Sequence, residues 1–195
     1  MPETLRDHLA YKPQPLKFGT SGRRGLVIDL TQLEVYTNVL AEVRYLQSLP
    51  LTEGGIESGD DFYYAYDLRP SSTKYVENNR GGLCQAVEQA LKDSNMRPLN
   101  LGAIPTPALT NFALQKRKGS IMVTGSHIPF DRNGYKLNTS KGELMKKDEQ
   151  PINELVAVTR EKLMAQPFSE SLFDEQGMLR SKPLDLESVL HEARS

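Results

Sequence analysis

The chain has 195 residues, of which 38% are hydrophobic and 25% charged, and its formal net charge is −1. This length suits one ordinary α/β domain with a substantial core, or one domain plus a tail; two full domains would be cramped. The composition is that of a slightly polar soluble protein without global attraction to nucleic acid or an apolar run long enough to cross a bilayer, and the single Cys84 excludes both an intramolecular disulfide and a Cys-rich zinc site.

Residues 1–15 contain prolines and no periodicity, so they read as an extended arm, and their order is not that of a secretory signal, which makes a cytoplasmic address the expectation. Leu16 to Phe18 reads as a short strand feeding a glycine-rich loop, Gly19-Thr20-Ser21-Gly22, whose backbone N–H groups suit an anion. Thr31-Gln32-Leu33-Glu34 has capping-box spacing. Leu33, Tyr36, Val39, Leu40, Val43 and Leu46 follow at helical intervals, predicting a helix over Gln32 to Gln47. The Gly-rich, acidic stretch Thr52 to Asp60 reads as a surface loop, with Asp60-Asp61 as solvated acids rather than a metal site.

Phe62 to Tyr66 is short and aromatic-rich, a strand ending at Asp67. Ser71 or Ser72 then caps a second predicted helix reaching Asp93, with Val76, Leu83, Val87 and Leu91 inward and Gly81-Gly82 weakening its middle. Further along, Pro98 to Ile104 predicts a strand, Pro107 to Lys118 a helix stopped by Gly119, and Ser120 to Thr124 another strand. Pro151 to Met164 predicts a last helix, and 166–195 reads as a linker or the opening of a further domain. Alternating strands and helices imply a layered α/β domain with its loops gathered at strand ends.

The chemistry concentrates after the Ile121-Met122-Val123 strand, in Thr124-Gly125-Ser126-His127-Ile128-Pro129-Phe130-Asp131-Arg132-Asn133-Gly134-Tyr135-Lys136. A hydroxyl, an imidazole and a cation in one segment suit a serine that carries a phosphoryl group. Asn133-Gly134 predicts a chain reversal that folds Lys136 back toward Ser126. Adjacent residues of an extended chain point to opposite sides, so His127 is expected to be badly placed as a base for Ser126.

This loop resembles the active-serine loop of the α-D-phosphohexomutases, the phosphoglucomutase and phosphomannomutase family, matching at Thr124, Gly125, Ser126, His127, Pro129, Asn133, Gly134 and Lys136 and departing at Ile128, where the family usually has asparagine. Isoleucine has no side-chain hydrogen bond to give, so packing is expected to hold the loop instead. Lys17-Phe18-Gly19-Thr20-Ser21-Gly22-Arg23-Arg24-Gly25, Asp67-Leu68-Arg69-Pro70-Ser71-Ser72 and Gly102-Ala103-Ile104-Pro105-Thr106-Pro107 resemble other family segments in order and spacing.

The resemblance implies a mixed sheet between helices over 16–165, the first domain of a larger enzyme. It implies Ser126 as the phosphorylated residue and a Mg²⁺ ligand through its phosphate, His127 and Lys136 as catalytic neighbours, and Thr20, Ser21 and Arg24 as phosphate or substrate contacts. An ion pair between Asp67 and Arg69 is expected to brace the loop. The implied reaction interconverts hexose 1-phosphate and hexose 6-phosphate through a bisphosphate. The main Mg²⁺ ligands are expected outside this chain, which by itself is expected to turn over little or no substrate. The alternative is a non-catalytic module that binds phosphosugars or a protein partner.

Overall fold

The computed structural model describes residues 3–19 and 22–180. Seven strands form one sheet: β1 (Phe18–Gly19), β2 (Gly22–Leu26), β3 (Asp61–Tyr66), β6 (Arg97–Ala103), β7 (Ser120–Val123), β8 (Arg132–Thr139) and β9 (Gly142–Glu143). Their order is β1-β2-β8-β7-β3-β6, with β9 paired to β8; the β3–β6 and β3–β7 pairs are parallel and the rest antiparallel. A two-strand ribbon, β4 (Tyr75–Val76) and β5 (Arg80–Gly81), stands apart. The helices are α1 (Leu5–His8), α2 (Gln32–Ser48), α3 (Pro70–Thr73), α4 (Leu83–Asp93), α5 (Thr106–Lys116) and α6 (Glu149–Met164). Among the described residues no helix is long and apolar enough to cross a membrane.

Strand alternation divides the core in two. Phe62, Tyr64, Ile121, Val123, Tyr135 and Leu137 face the layer built from α2, α4 and α6, whereas Tyr63, Ala65 and Met122 face Leu109 and Ala113 of α5. The result is the expected mixed sheet between helices.

Helix α2 begins where its cap predicts: the Thr31 hydroxyl accepts from the Glu34 amide at 3.1 Å. It differs from an amphipathic surface helix in being buried on nearly every side, polar residues included. Each buried polar group therefore has to find a partner. Glu34 takes the Arg160 guanidinium of α6 at 2.7 Å, and Asn38 donates to Glu34. Glu42 accepts from Arg23 at 2.6 Å and from the Tyr135 hydroxyl at 2.8 Å.

Several expectations are revised. No single helix runs from Ser71 to Asp93: Gly81 and Gly82 have φ of +93° and +60°, and the chain forms α3, the β4–β5 ribbon and then α4, leaving Val76 in the ribbon. Ser71 and Ser72 lie inside α3, whose N-cap is Arg69, and that helix already stops at Thr73 where Lys74 turns extended; left-handed Gly82 then stands at the start of α4 rather than in the middle of one long helix. Helix α5 is closed by Arg117, whose own φ of +55° supplies the left-handed cap assigned to Gly119. Asp60 and Asp61 are not free acids, since they pair with Lys118 and Arg97.

The described parts of the terminal segments, 3–15 and 166–180, are also more ordered than a linear reading suggests; the rest of the expected linker, 181–195, lies outside the described residues. Within the arm, α1 buries Leu5, and Arg6 pairs with Glu161 of α6. After α6 the chain returns to α2: Phe173 packs edge-on to Tyr36, the Gly177 carbonyl accepts from the Leu33 amide, and the Leu179 amide donates to Gln32. Aperiodic sequence hid this because the segment is held by single anchors, Phe173 and Met178, rather than by a repeating face.

Candidate active site

The polar loop leaves β7 at the end of the sheet. Asp67, just beyond β3, organises its first residues. One carboxylate oxygen accepts from the Thr124 hydroxyl at 2.9 Å and the Gly125 amide at 3.1 Å, and the other from the Arg69 amide at 3.0 Å and the Ser72 hydroxyl at 2.8 Å. Thr124 in turn accepts the Ser126 amide at 2.8 Å.

Arg69 holds the remainder. Its guanidinium donates to the carbonyl oxygens of Ser126, Ile128, Pro129 and Arg132, at 3.1, 2.5, 2.8 and 3.0 Å, and its Nε lies 3.3 Å from Asp67. The expected ion pair is thus present, as the centre of a larger network. A planar five-donor fork is the side chain able to gather several carbonyls at once. Packing by Ile128 is not what holds the loop: Arg69 binds the main-chain oxygen at that position, which any residue provides. Gly125 is required here because a Cβ would collide with the Arg69 guanidinium.

The reversal expected at Asn133-Gly134 occurs earlier. Turns close from Gly125 to Ile128 and from Pro129 to Arg132, and Asn133 and Gly134 lie inside β8. Asn133 is buried and donates to the hydroxyls of Ser71 and Ser72, tying β8 to the Asp67–Ser72 turn. Gly134 sits against β2, where a Cβ would overlap the Arg23 carbonyl. Its role is close approach of two backbones rather than turn formation.

Ser126 is exposed and has φ of +55°. Its Oγ lies 3.1 Å from His127 Nδ1, which corrects the expectation that the two side chains diverge. That expectation assumed extended backbone, and a left-handed residue turns consecutive side chains toward the same side. No hydrogen bond joins Ser126 to Arg24 or Lys136 among the described residues.

Arg24 and Lys136 share a sheet face. Arg24 pairs with Gly134 across the β2–β8 ladder and Lys136 is two residues further along β8, on the side of Met122. Burial and the nearby Arg69 cation hold the Arg24 guanidinium below its usual range, and its Nε is buried without a partner. A buried, unpaired cationic donor beside a second guanidinium is suited to an incoming anion. Lys136 is committed to Glu143 of β9. Thr20 and Ser21 lie outside the described residues, between the paired strands β1 and β2.

Arg23, which the sequence reading passed over, is only 1% exposed, stacks 3.9 Å above the Phe18 ring and donates to the Leu16 carbonyl as well as to Glu42. It pins the β1–β2 hairpin to α2. The signal available was period-two alternation: if Arg24 faces the site, its neighbour must face the core.

Among the described residues no group of three or more His, Cys, Asp or Glu side chains is arranged to hold a metal ion. Asp67, the carboxylate that organises the start of the loop, already accepts four hydrogen bonds. The donor set described here therefore does not fit an octahedral Mg²⁺ site by itself.

Residues 15–162 match the family model described as phosphoglucomutase/phosphomannomutase, alpha/beta/alpha domain I. A phosphomannomutase of Sinorhizobium fredii (strain NBRC 101917 / NGR234) is 38% identical over 139 residues, 71% of this chain and 27% of that protein. One from Salmonella muenchen is 37% identical over 137 residues, covering 70% of this chain and 26% of the relative. The chain thus spans about a quarter of the length of these relatives. The crystal structure of a putative phosphomannomutase from Thermus thermophilus shares the fold, with a TM-score of 0.59 and 22% identity over 93% of this chain and 36% of that one. The family match and the order of its motifs together show that this chain belongs to the phosphoglucomutase/phosphomannomutase family, of which it carries domain I.

Proposed function

We propose that this chain provides the phosphoserine of a hexose-phosphate mutase. Ser126, once phosphorylated, passes its phosphoryl group to the free hydroxyl of a hexose 1- or 6-phosphate, glucose or mannose. The bisphosphate turns over in the site and returns its other phosphoryl group to the serine. The observation that carries this reading is an exposed serine hydroxyl on a loop fixed by Asp67 and Arg69, with an unpaired guanidinium donor of Arg24 beside Arg69.

Phosphoryl transfer asks little covalent chemistry of a protein and much alignment and charge neutralisation. A phosphoserine adds roughly −1.5 to −2 charges at neutral pH. Arg24 offsets part of that charge, and the Asp67–Arg69 network fixes the position from which it is delivered. Lys136 contributes when the phosphate draws its ammonium from Glu143. Thr20 and Ser21, which lie outside the described residues, join the phosphate contacts in this reading. In this reading Mg²⁺, held by carboxylates from outside this chain, would supply further charge neutralisation at the Ser126 phosphate, and the protein works in the cytoplasm.

The test is a coupled mutase assay on the chain alone and in the presence of the remaining family domains. Little turnover alone, activity on addition of the other domains, and loss of that activity in Ser126→Ala support the proposal. Tight binding of hexose phosphate to a serine that stays unmodified under every condition contradicts it and favours a binding module.

A further inference from the structure

We infer that His127 is the proton acceptor for Ser126 when phosphorus arrives at that oxygen. This deepens the mutase reading and rests on it for the identity of the phosphoryl donor.

The geometry is local. Ser126 stands in left-handed backbone, with φ of +55°, and this brings its Oγ to 3.1 Å from His127 Nδ1. Such a conformation is uncommon for a residue other than glycine, and here it is held from both sides. The Ser126 amide donates to Thr124 and the Ser126 carbonyl accepts from Arg69. A nucleophile and a base within reach of each other are the minimum for activating a hydroxyl. In the tautomer with its proton on Nε2, the imidazole presents a lone pair at Nδ1 and the serine hydroxyl donates to it. Among the described residues no side chain is bonded to Nε2, so the arrangement is a dyad.

Atoms and charge balance in this step. The Ser126 O–H bond breaks, its proton goes to Nδ1, and the oxygen forms a bond to phosphorus as the bond from phosphorus to the leaving group breaks. With a sugar bisphosphate the leaving oxygen departs on the far side of phosphorus from Ser126 and takes its proton from solvent, and the imidazolium gives its proton back to solvent. His127 returns to neutral and the serine is left as its phosphate.

An alkyl fluorophosphonate tests the pair directly, because serine attack expels fluoride and leaves a stable adduct that intact mass and peptide mapping locate. The expected result is labelling at Ser126, absent in Ser126→Ala and slowed about 100-fold or more in His127→Gln, the lower range for general-base catalysis. Added imidazole should restore part of the rate in His127→Ala. Both residues are exposed, so these variants should keep the thermal unfolding of the parent chain. Equal labelling rates in the parent and His127→Gln, or no labelling of Ser126 in the parent, would overturn the inference. Labelling needs neither sugar nor further domains, so such a failure leaves the mutase reading to be decided by the coupled assay.

Discussion

Replacing Arg69 should release the 124–132 loop before it unfolds the domain. Arg69→Ala removes the donors to four loop carbonyls and the cation beside Asp67. Breaking a buried ion pair by deleting one partner costs about 3–5 kcal/mol. Here the cost is lower, because the Asp67 side chain is 21% exposed and keeps its bonds from Thr124, Gly125 and Ser72. The freed carbonyls can also turn to water. The balance is a loss of about 2–3 kcal/mol, a shift of roughly 30- to 140-fold in loop opening at about 1.4 kcal/mol per factor of ten. Arg69→Lys keeps the charge but loses the planar fork, and should cost about 1–2 kcal/mol. Hydrogen exchange of the Ser126 and Ile128 amides, both hydrogen-bonded within the loop, reads local opening, and urea unfolding reads the whole domain. Exchange in Arg69→Ala within a factor of two of the parent would refute the role assigned to this side chain.

Gly134→Ala should force β2 and β8 apart, because the added Cβ overlaps the Arg23 carbonyl; the expected loss in urea unfolding is about 3 kcal/mol, at the upper end for overpacking. Gly59→Ala, with φ of +89° but no heavy atom within 4 Å of the added carbon, is the control for strain without overlap and should cost about 1 kcal/mol. Burial pushes the Cys84 thiol up to about 12, so an alkylating reagent at neutral pH should modify it only after unfolding; modification of the folded chain at the rate of a free thiol contradicts its placement. Burial, reinforced by hydrogen bonds to Asp93, Glu88 and Glu42, likewise raises the phenols of Tyr36, Tyr64 and Tyr135. A raised acid stabilises the fold fully below its unfolded pKa, about 10 for tyrosine, and loses that contribution as pH climbs toward the folded value. Urea midpoints should therefore fall as pH rises above about 10, and midpoints unchanged up to pH about 12 would be inconsistent with these three environments.

The elements most legible in the sequence were those whose pattern and boundary chemistry agreed. Thr31 starts α2, and the aromatic run of β3 ends beside Asp67. What escaped depends on partners distant in the chain. Asn133-Gly134 has the composition of a turn, yet the approach of β2 leaves no room for a Cβ at Gly134, and Ser71 and Ser72 give the Asn133 amide a buried partner. Ser71 and Ser72 carried a cap signal, but Arg69 is the cap and the helix they sit in ends after one turn, where Lys74 turns extended into the β4–β5 ribbon. Within the site, the loop residues and the Asp67–Arg69 pair were readable as motifs. The left-handed turn at Ser126 was not, since nothing in a serine announces a positive φ. Arg23 was overlooked because a charged residue is rarely fully buried unless paired, and its partner Glu42 lies on α2, nineteen residues away in sequence.

The claim on which the account turns is that Ser126 accepts and carries phosphate. Incubating the chain with hexose 1,6-bisphosphate, Mg²⁺ and the remaining family domains, followed by intact mass and peptide mapping, measures it directly. The account predicts one phosphate, on Ser126, removed when hexose monophosphate is added and absent from Ser126→Ala. A serine that stays unmodified in the parent protein, or a phosphate found on another residue, would contradict it.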